Sequence, residues 1–468
     1  YLVKYGAEIN HAVDNGWTPL YAASSNGHEK IVEYLVRHRA EIYRADDAGW
    51  TPLFAAAWNG HHDAVECLVK CGVEVNRAIY NGRTPLYQAC LNGQEKTAEC
   101  LVKCGAQINV TDMSGETPLY VASWVGHKKS VKVLVKCGAE INRPNNSGWT
   151  PLYAAAFKCN EKVVDYLVKS AADINRANND GETPLYAASS QGHERIVECL
   201  VKYGAEINHA VKNGWTPLYV ASSNGHEKVV ECLVKFGAEI NSSNNVGWTP
   251  LCTASSKGHE KIVEFLLECG AEINRSTNDG WTPLSAAFLK DHENIVQYLV
   301  KYGAEINRTN VGEGTPLKAV LPNDREKIVE YLVKNGIEIN RANDVGWTSL
   351  HAAASNGHEN MVKHLVKCGA EINRADNDGV TPLYAASSNG HQEIVEYLVK
   401  YGAEINRGDK YGRTPLYTAS SKGYGKTVEY LLNCGADVNR SDKGGYTPLC
   451  AASNNGDEKI VEYLVKHG

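Results

Sequence analysis

Three observations predict an all-α chain built as a stack of fourteen helix pairs. A "TPL" motif recurs from Thr18 to Thr447 in steps of 33 residues, without insertion or deletion, and departs only at "TSL" (Thr348–Leu350). Within each step, residues that start and stop helices return in the same order. Between those signals lie apolar residues at helical spacing, Ile31, Val32, Leu35 and Val36 in the first repeat. One repeat of this size cannot bury its own apolar face, so neighbours must stack and share a continuous core.

The elements follow in chain order. Thr18 caps a helix N-terminus with its hydroxyl, and Pro19 at the first helical position loses no hydrogen bond. A short first helix is expected over 19–25, with Ala22 and Ala23 small enough for close approach. Gly27 then supplies a left-handed turn at little cost. A second helix is expected over 29–37, and the next Gly, as at Gly72 or Gly105, ends it. A polar stretch such as "NRANNDG" (Asn175–Gly181) has turn chemistry and leads to the next Thr-Pro.

The full pattern, "G-x-T-P-L-x-x-A-x-x-x-G-H-x-x-x-V-x-x-L-v-x-x-G-A-x-I-N", resembles the ankyrin repeat along the whole chain. The resemblance implies helix-turn-helix repeats with hairpin-like finger loops, stacked as a curved superhelical solenoid. Fourteen pairs at ~9 Å each give an expected arc on the order of 130 Å. The repeats are framed as 13–45, 46–78, 79–111, 112–144, 145–177, 178–210, 211–243, 244–276, 277–309, 310–342, 343–375, 376–408, 409–441 and 442–468. Residues 1–12 read as the tail of a preceding repeat, and neither end carries the polar cap that a solenoid needs, so a piece of a longer array is expected. One departure is systematic. The family usually has His after "TPL", bracing the turn by hydrogen bonding. Here Tyr stands there at Tyr21, Tyr87, Tyr120, Tyr153, Tyr186 and Tyr219, and only His351 restores the usual residue. The bracing must therefore be made differently.

Composition excludes several classes. A net charge of −6 argues against a nucleic-acid binder, whose affinity rests on Lys and Arg contacts to phosphate. No apolar run approaches the ~18 residues of a membrane span, so no membrane insertion is expected. Fourteen cysteines in a long repetitive chain read as reduced thiols of a cytoplasmic protein, rather than as a disulfide framework.

The motifs that could carry chemistry reduce to the repeat frame. "GKT" (Gly425–Thr427) lacks the phosphate-loop Gly five residues earlier, where Ser420 stands. His28, His61, His127, His193, His226, His259, His292, His358 and His391 share one position. Stacked helices lie ~8–10 Å apart and Zn–N bonds are about 2.0–2.1 Å, so these histidines are expected to brace the helix turn rather than share an ion. Cys71, Cys104, Cys137, Cys269, Cys368 and Cys434 occupy one position, and Cys67, Cys100, Cys199 and Cys232 another. Equivalent cysteines in adjacent repeats are too far apart for a disulfide, and C-x-x-x-C is not the C-x-x-C of a zinc or redox site, so packing roles are expected. Six N-x-[ST] sequons, Asn145–Ser147 and Asn274–Ser276 among them, fall mostly on recurrent finger positions and matter only in a secreted chain. An arginine ladder including Arg44, Arg143, Arg275, Arg341, Arg374 and Arg407 usually follows an acid by three residues. It reads as a solvated edge of Glu–Arg pairs rather than a basic stripe for an acidic partner. No nucleophile–base–orienter set and no dinucleotide fingerprint stands out, so no enzyme activity, cofactor, metal or small-molecule ligand is expected.

Differences between the repeats point to a site. The residue before Thr is Trp17, Trp50, Trp149, Trp215, Trp248, Trp281 or Trp347 in some repeats and Arg83, Glu116, Glu182 or Arg413 in others. Tolerance of charge predicts an exposed position. The first helix exits on Ser by default, as at Ser25 and Ser190, but on Trp58, Leu91, Trp124 and Phe157 in four consecutive repeats. In the resembled family, finger tips and first helices line a concave groove that binds partners. Carried over position by position, Trp50, Trp58, Leu91, Trp124, Trp149 and Phe157 share that groove, with Tyr80 and Met113 on finger tips and Val125 beside Trp124. The expected function is a non-enzymatic scaffold for protein partners. An elastic spacer, or a substrate-targeting arm of a larger channel, kinase or ligase protein, is the alternative. A softer joint is expected near residues 288–325, where Asp291 and Asp324 replace the inter-helix Gly, Glu313 the finger Gly and Lys318 the Tyr, and Pro322 breaks a first helix.

Overall fold

The computed structural model describes residues 6–307 and 326–468. The chain forms two compact bodies, residues 1–245 and 246–468. The described residues hold 27 helices and no strand. In the first body, helix pairs run from Pro19–Ser25 with Glu29–Arg37 to Pro217–Asn224 with Glu227–Lys235. In the second they run from Pro250–Lys257 with Glu260–Glu268 to Pro448–Asn455 with Glu458–His467. Within each body, first helices stack on first helices and second on second. Both helices of the first repeat have the bounds expected from the sequence.

The helix starts work as the residue chemistry dictates. Thr18 Oγ1 accepts the backbone N–H of Tyr21 at 3.1 Å, and Thr84 and Thr381 do the same for Tyr87 and Tyr384. The inter-helix Gly is needed twice over. Gly93 sits at φ 69, and a Cβ there would lie 2.6 Å from Nδ1 of His127 in the next repeat. That close approach lets His127 Nε2 donate to the carbonyl of Leu91 at 3.1 Å. His193, His226, His292 and His391 reach Phe157, Ser190, Ser256 and Ser355 in the same way. The expected brace of the helix turn is thus a bond between repeats. Asn160, at the His position, replaces it by donating to the carbonyls of Ser123 and Trp124 at 2.8 and 2.9 Å.

Fingers are tied within themselves and to each other. Asp112 Oδ1 accepts the N–H groups of Ser114 and Glu116, closing one tip. The backbone of Met113 then donates to Asn81 of the preceding finger, and Asn146 to Ser114, both at 3.0 Å. A second ladder runs through the finger asparagines. Asn109 Oδ1 accepts Glu140 N–H at 3.0 Å, and Asn340 accepts Glu371 N–H at 2.8 Å. The arginine edge is paired as expected, with Arg143–Glu140 and Arg407–Glu404 at 3.4 Å and both partners part-exposed. Arg407 also donates to the Asn373 carbonyl of the preceding repeat at 2.9 Å.

The core is the buried Leu and Val of the second helices against the small residues of the first, such as Val197 and Leu200 with Ala187 and Ala188. Ile31 remains 50 % exposed, while its equivalent Ile196 is 1 % exposed under the helix of the preceding repeat. Asp291 does adopt a left-handed backbone, at φ 64. Glu313, Lys318, Pro322 and Asp324 lie outside the described residues. Among the described residues, no helix is long and apolar enough to cross a membrane.

Candidate functional site

The position before Thr is not simply exposed. Trp17, Trp215 and Tyr446 are exposed, but Trp50 and Trp149 are half-buried. All four indoles lie near the ring four residues on, Trp17 on Tyr21 at 5.0 Å, Trp50 on Phe54 and Trp149 on Tyr153 at 5.2 Å, and Trp215 on Tyr219 at 5.5 Å. The two half-buried ones have further rings beside them, Trp58 against Trp50 and Trp124 and Phe157 against Trp149. Arg83 at this position also lies on the ring four residues on, its guanidinium 5.0 Å from the Tyr87 ring centroid and its Nε 3.5 Å from Asp112 Oδ2. Arg83 is tolerated because its guanidinium lies over a ring with a carboxylate beside it.

The aromatic residues form two groups. In repeat two, Trp50 and Trp58 meet at 4.8 Å. Across repeats four and five, Trp124, Trp149 and Phe157 lie within 5.9–6.0 Å of one another. Tyr120 and Tyr153 extend that group at 6.2 Å from Trp124 and 6.3 Å from Phe157. Its rings are tilted by no more than 28°, an offset arrangement favoured by the aromatic quadrupole. Lys158 places its ammonium 4.3 Å from the Trp124 ring centroid. A polar set separates the two groups, Arg83 and Tyr87 of repeat three with Asp112 and Glu116 of repeat four. Leu91 is half-buried there, while Tyr80 is 83 %, Met113 74 % and Val125 43 % exposed.

The missing His brace is replaced by tyrosine. Tyr87 hydroxyl donates to Glu116 Oε2 at 3.0 Å, and Tyr153 hydroxyl to Glu182 Oε2 at 2.6 Å, each reaching the following repeat. Burial first, and then the neighbouring carboxylate, hold both phenols far above their ordinary range. Burial also raises the Glu116 carboxyl. These acids are turned inward and leave Lys158 and Arg83 as the outward charges beside the rings.

Lys158 and Phe54 belong to the clusters but were not singled out from sequence, and Tyr120 and Tyr153 were read only as replacements for the usual His. Lys158 had a signal: Asn26, Asn59 and Asn92 hold its position in the first three repeats. All fourteen cysteines are free. Burial pushes the Cys90 thiol far up, and the Cys252 thiol up to about 12.

Comparison with known proteins gives the family. A sequence family described as "Ankyrin repeats (3 copies)" matches in eleven overlapping segments, from 1–79 through 142–211 and 269–343 to 406–468, which together span the chain. No curated protein matches. Among solved structures, the chain is similar to the human ASB11 ankyrin repeat domain at 24 % identity, covering 48 % of this chain and 99 % of that one with a TM-score of 0.44. With a family match along its length and a helix pair in every fully described repeat, the chain belongs to the ankyrin repeat family.

Proposed function

We propose that this chain is a non-enzymatic scaffold that holds a protein partner against the finger tips and first helices of repeats two to five. Ankyrin repeats are in general protein–protein interaction modules. The observation that carries the finer reading is the pair of half-exposed aromatic groups, Trp50 with Trp58 and Trp124 with Trp149 and Phe157. Large aromatics in partly open pockets are the side chains most often found to anchor interfaces. Tyr80 and Met113 are exposed on neighbouring finger tips. A spacer has no use for such a surface, whereas a scaffold or a targeting arm does.

The test replaces Trp58, Trp124 and Phe157 by Ser, the residue found at that position in Ser25 and Ser190. Partners captured by the native chain, and crosslinked through a photoreactive group at position 125, should be lost from the triple variant. An unchanged set of crosslinked partners, with helix content intact by circular dichroism, would sink the reading.

A further inference from the structure

Four of the free cysteines are arranged as two pairs. Cys67 and Cys71 lie four residues apart at the end of the helix His62–Lys70, with Cys71 as its C-terminal cap. Cys100 and Cys104 stand likewise on Glu95–Lys103. No other repeat has cysteine at both positions. On a helix this spacing sets the two Cβ atoms about 5–6 Å apart on one face. After burial, the neighbouring Cys71 and Cys104 thiols help to raise Cys67 and Cys100, and all four are half-buried. The two helices stack, and Cys100 Sγ reaches the His62 carbonyl at 3.5 Å.

Geometry selects what such a pair can hold. A disulfide needs Cβ atoms about 3.5–4.5 Å apart, closer than helical spacing sets them. A tetrahedral zinc site needs four ligands, and no three His, Cys, Asp or Glu side chains gather for a metal among the described residues. Two metal–sulfur bonds of ~2.3 Å each span ~4.6 Å, a reach that suits two thiolates one helical turn apart. Soft thiolates select soft ions, Cu(I) above all. The negative end of each helix favours a cation there, and the charges of Glu29 and Glu33 reach Cys67 as those of Asp63 and Glu66 reach Cys100.

We propose that Cys67/Cys71 and Cys100/Cys104 are two dithiolate sites, each taking one soft monovalent cation of the Cu(I) class in two-coordinate geometry. Binding breaks two S–H bonds, forms two metal–sulfur bonds and releases two protons to solvent, with no electron transferred. Burial holds the Cys67 thiol up at about 11 and the Cys100 thiol at about 12. The thiols therefore stay protonated at neutral pH, and uptake must weaken as pH falls.

The test uses reduced protein without oxygen and Cu(I) supplied as its bicinchoninate complex, whose colour reports withdrawal of the metal. The native chain should withdraw two equivalents. The double variant C71S/C104S should withdraw none, and Ser170 shows that Ser stands at this position in repeat five. The control C137S/C269S removes two unpaired thiols from the same position and should still withdraw two. Alkylation by N-ethylmaleimide should slow about tenfold at the four paired cysteines when Cu(I) is present, since bound thiolate is withdrawn from reaction. It should be unchanged at the exposed Cys137 and Cys159. Equal uptake by the native chain and C71S/C104S, or protection spread to Cys137 and Cys159, overturns the proposal. Uptake of one equivalent overturns it for the pair left unprotected.

Discussion

The Tyr153 hydroxyl donates a 2.6 Å hydrogen bond to Oε2 of Glu182, 29 residues further on and one repeat away. His351 spans the same 29 residues with a 3.0 Å bond from Nε2 to the Val380 carbonyl. The two residue types stand at one position and tie the same neighbours together, tyrosine to a side chain and histidine to the backbone. Tyr153→Phe would leave Glu182 with the Asn178 amide at 2.8 Å as its remaining side-chain donor. The expected loss is about 1–2 kcal/mol. Native-state hydrogen exchange at repeats five and six should report it. In a Glu182→Ala background the same substitution should cost much less, and an equal cost would show that the bond is not the cause.

Repeat five carries strain. Cys159 at φ 61 and Ala171 at φ 63 occupy positions that are Gly in most repeats. A left-handed backbone costs a side-chain-bearing residue roughly 1–2 kcal/mol, more than the ~0.4–1 kcal/mol lost by loosening the unfolded chain with Gly. Cys159→Gly and Ala171→Gly should each stabilise the repeat by about 0.5–1 kcal/mol. Slower amide exchange confined to repeats four to six is the expected readout, and a faster rate would contradict the strain argument.

His351 should make its repeat sensitive to acid. Burial lowers its pKa below the usual 6.5, outweighing the Val380 carbonyl on Nε2, which raises it; Nδ1 accepts the Thr348 N–H, a bond that only the neutral ring can make. The unfolded chain then binds a proton more readily than the folded one. Its stabilising contribution is complete above pH ~6.5 and declines as pH falls toward the folded value. Exchange protection near 348–354 should fall as pH drops below about 6.5, and His351→Tyr should remove that dependence. A flat profile in the native chain would refute it.

Period, caps and helix bounds were legible because they are local: Thr, Pro and Gly set backbone geometry with neighbours a few residues away. Exposure before Thr was misjudged because a charged residue there does not require open solvent. Arg83 rests on the Tyr87 ring just as Trp50 rests on Phe54. The His ladder was misplaced by one repeat, since nothing in the residue itself says that its Nε2 reaches the preceding helix. The Arg83, Asp112 and Glu116 network between the two aromatic groups was not legible in the sequence. It uses side chains from two repeats, and single positions read in columns do not reveal it.

Many of the bonds that join repeats connect a residue to one 29, 31, 34 or 36 positions away, and the same offsets recur along the chain. A donor therefore finds its acceptor in whichever repeat happens to stand beside it. Contact order stays low however long the array becomes, so folding speed should depend little on its length. Duplication or loss of one 33-residue segment would leave most of these partnerships intact, which makes an unequal exchange between repeats one of the mildest changes this gene could suffer.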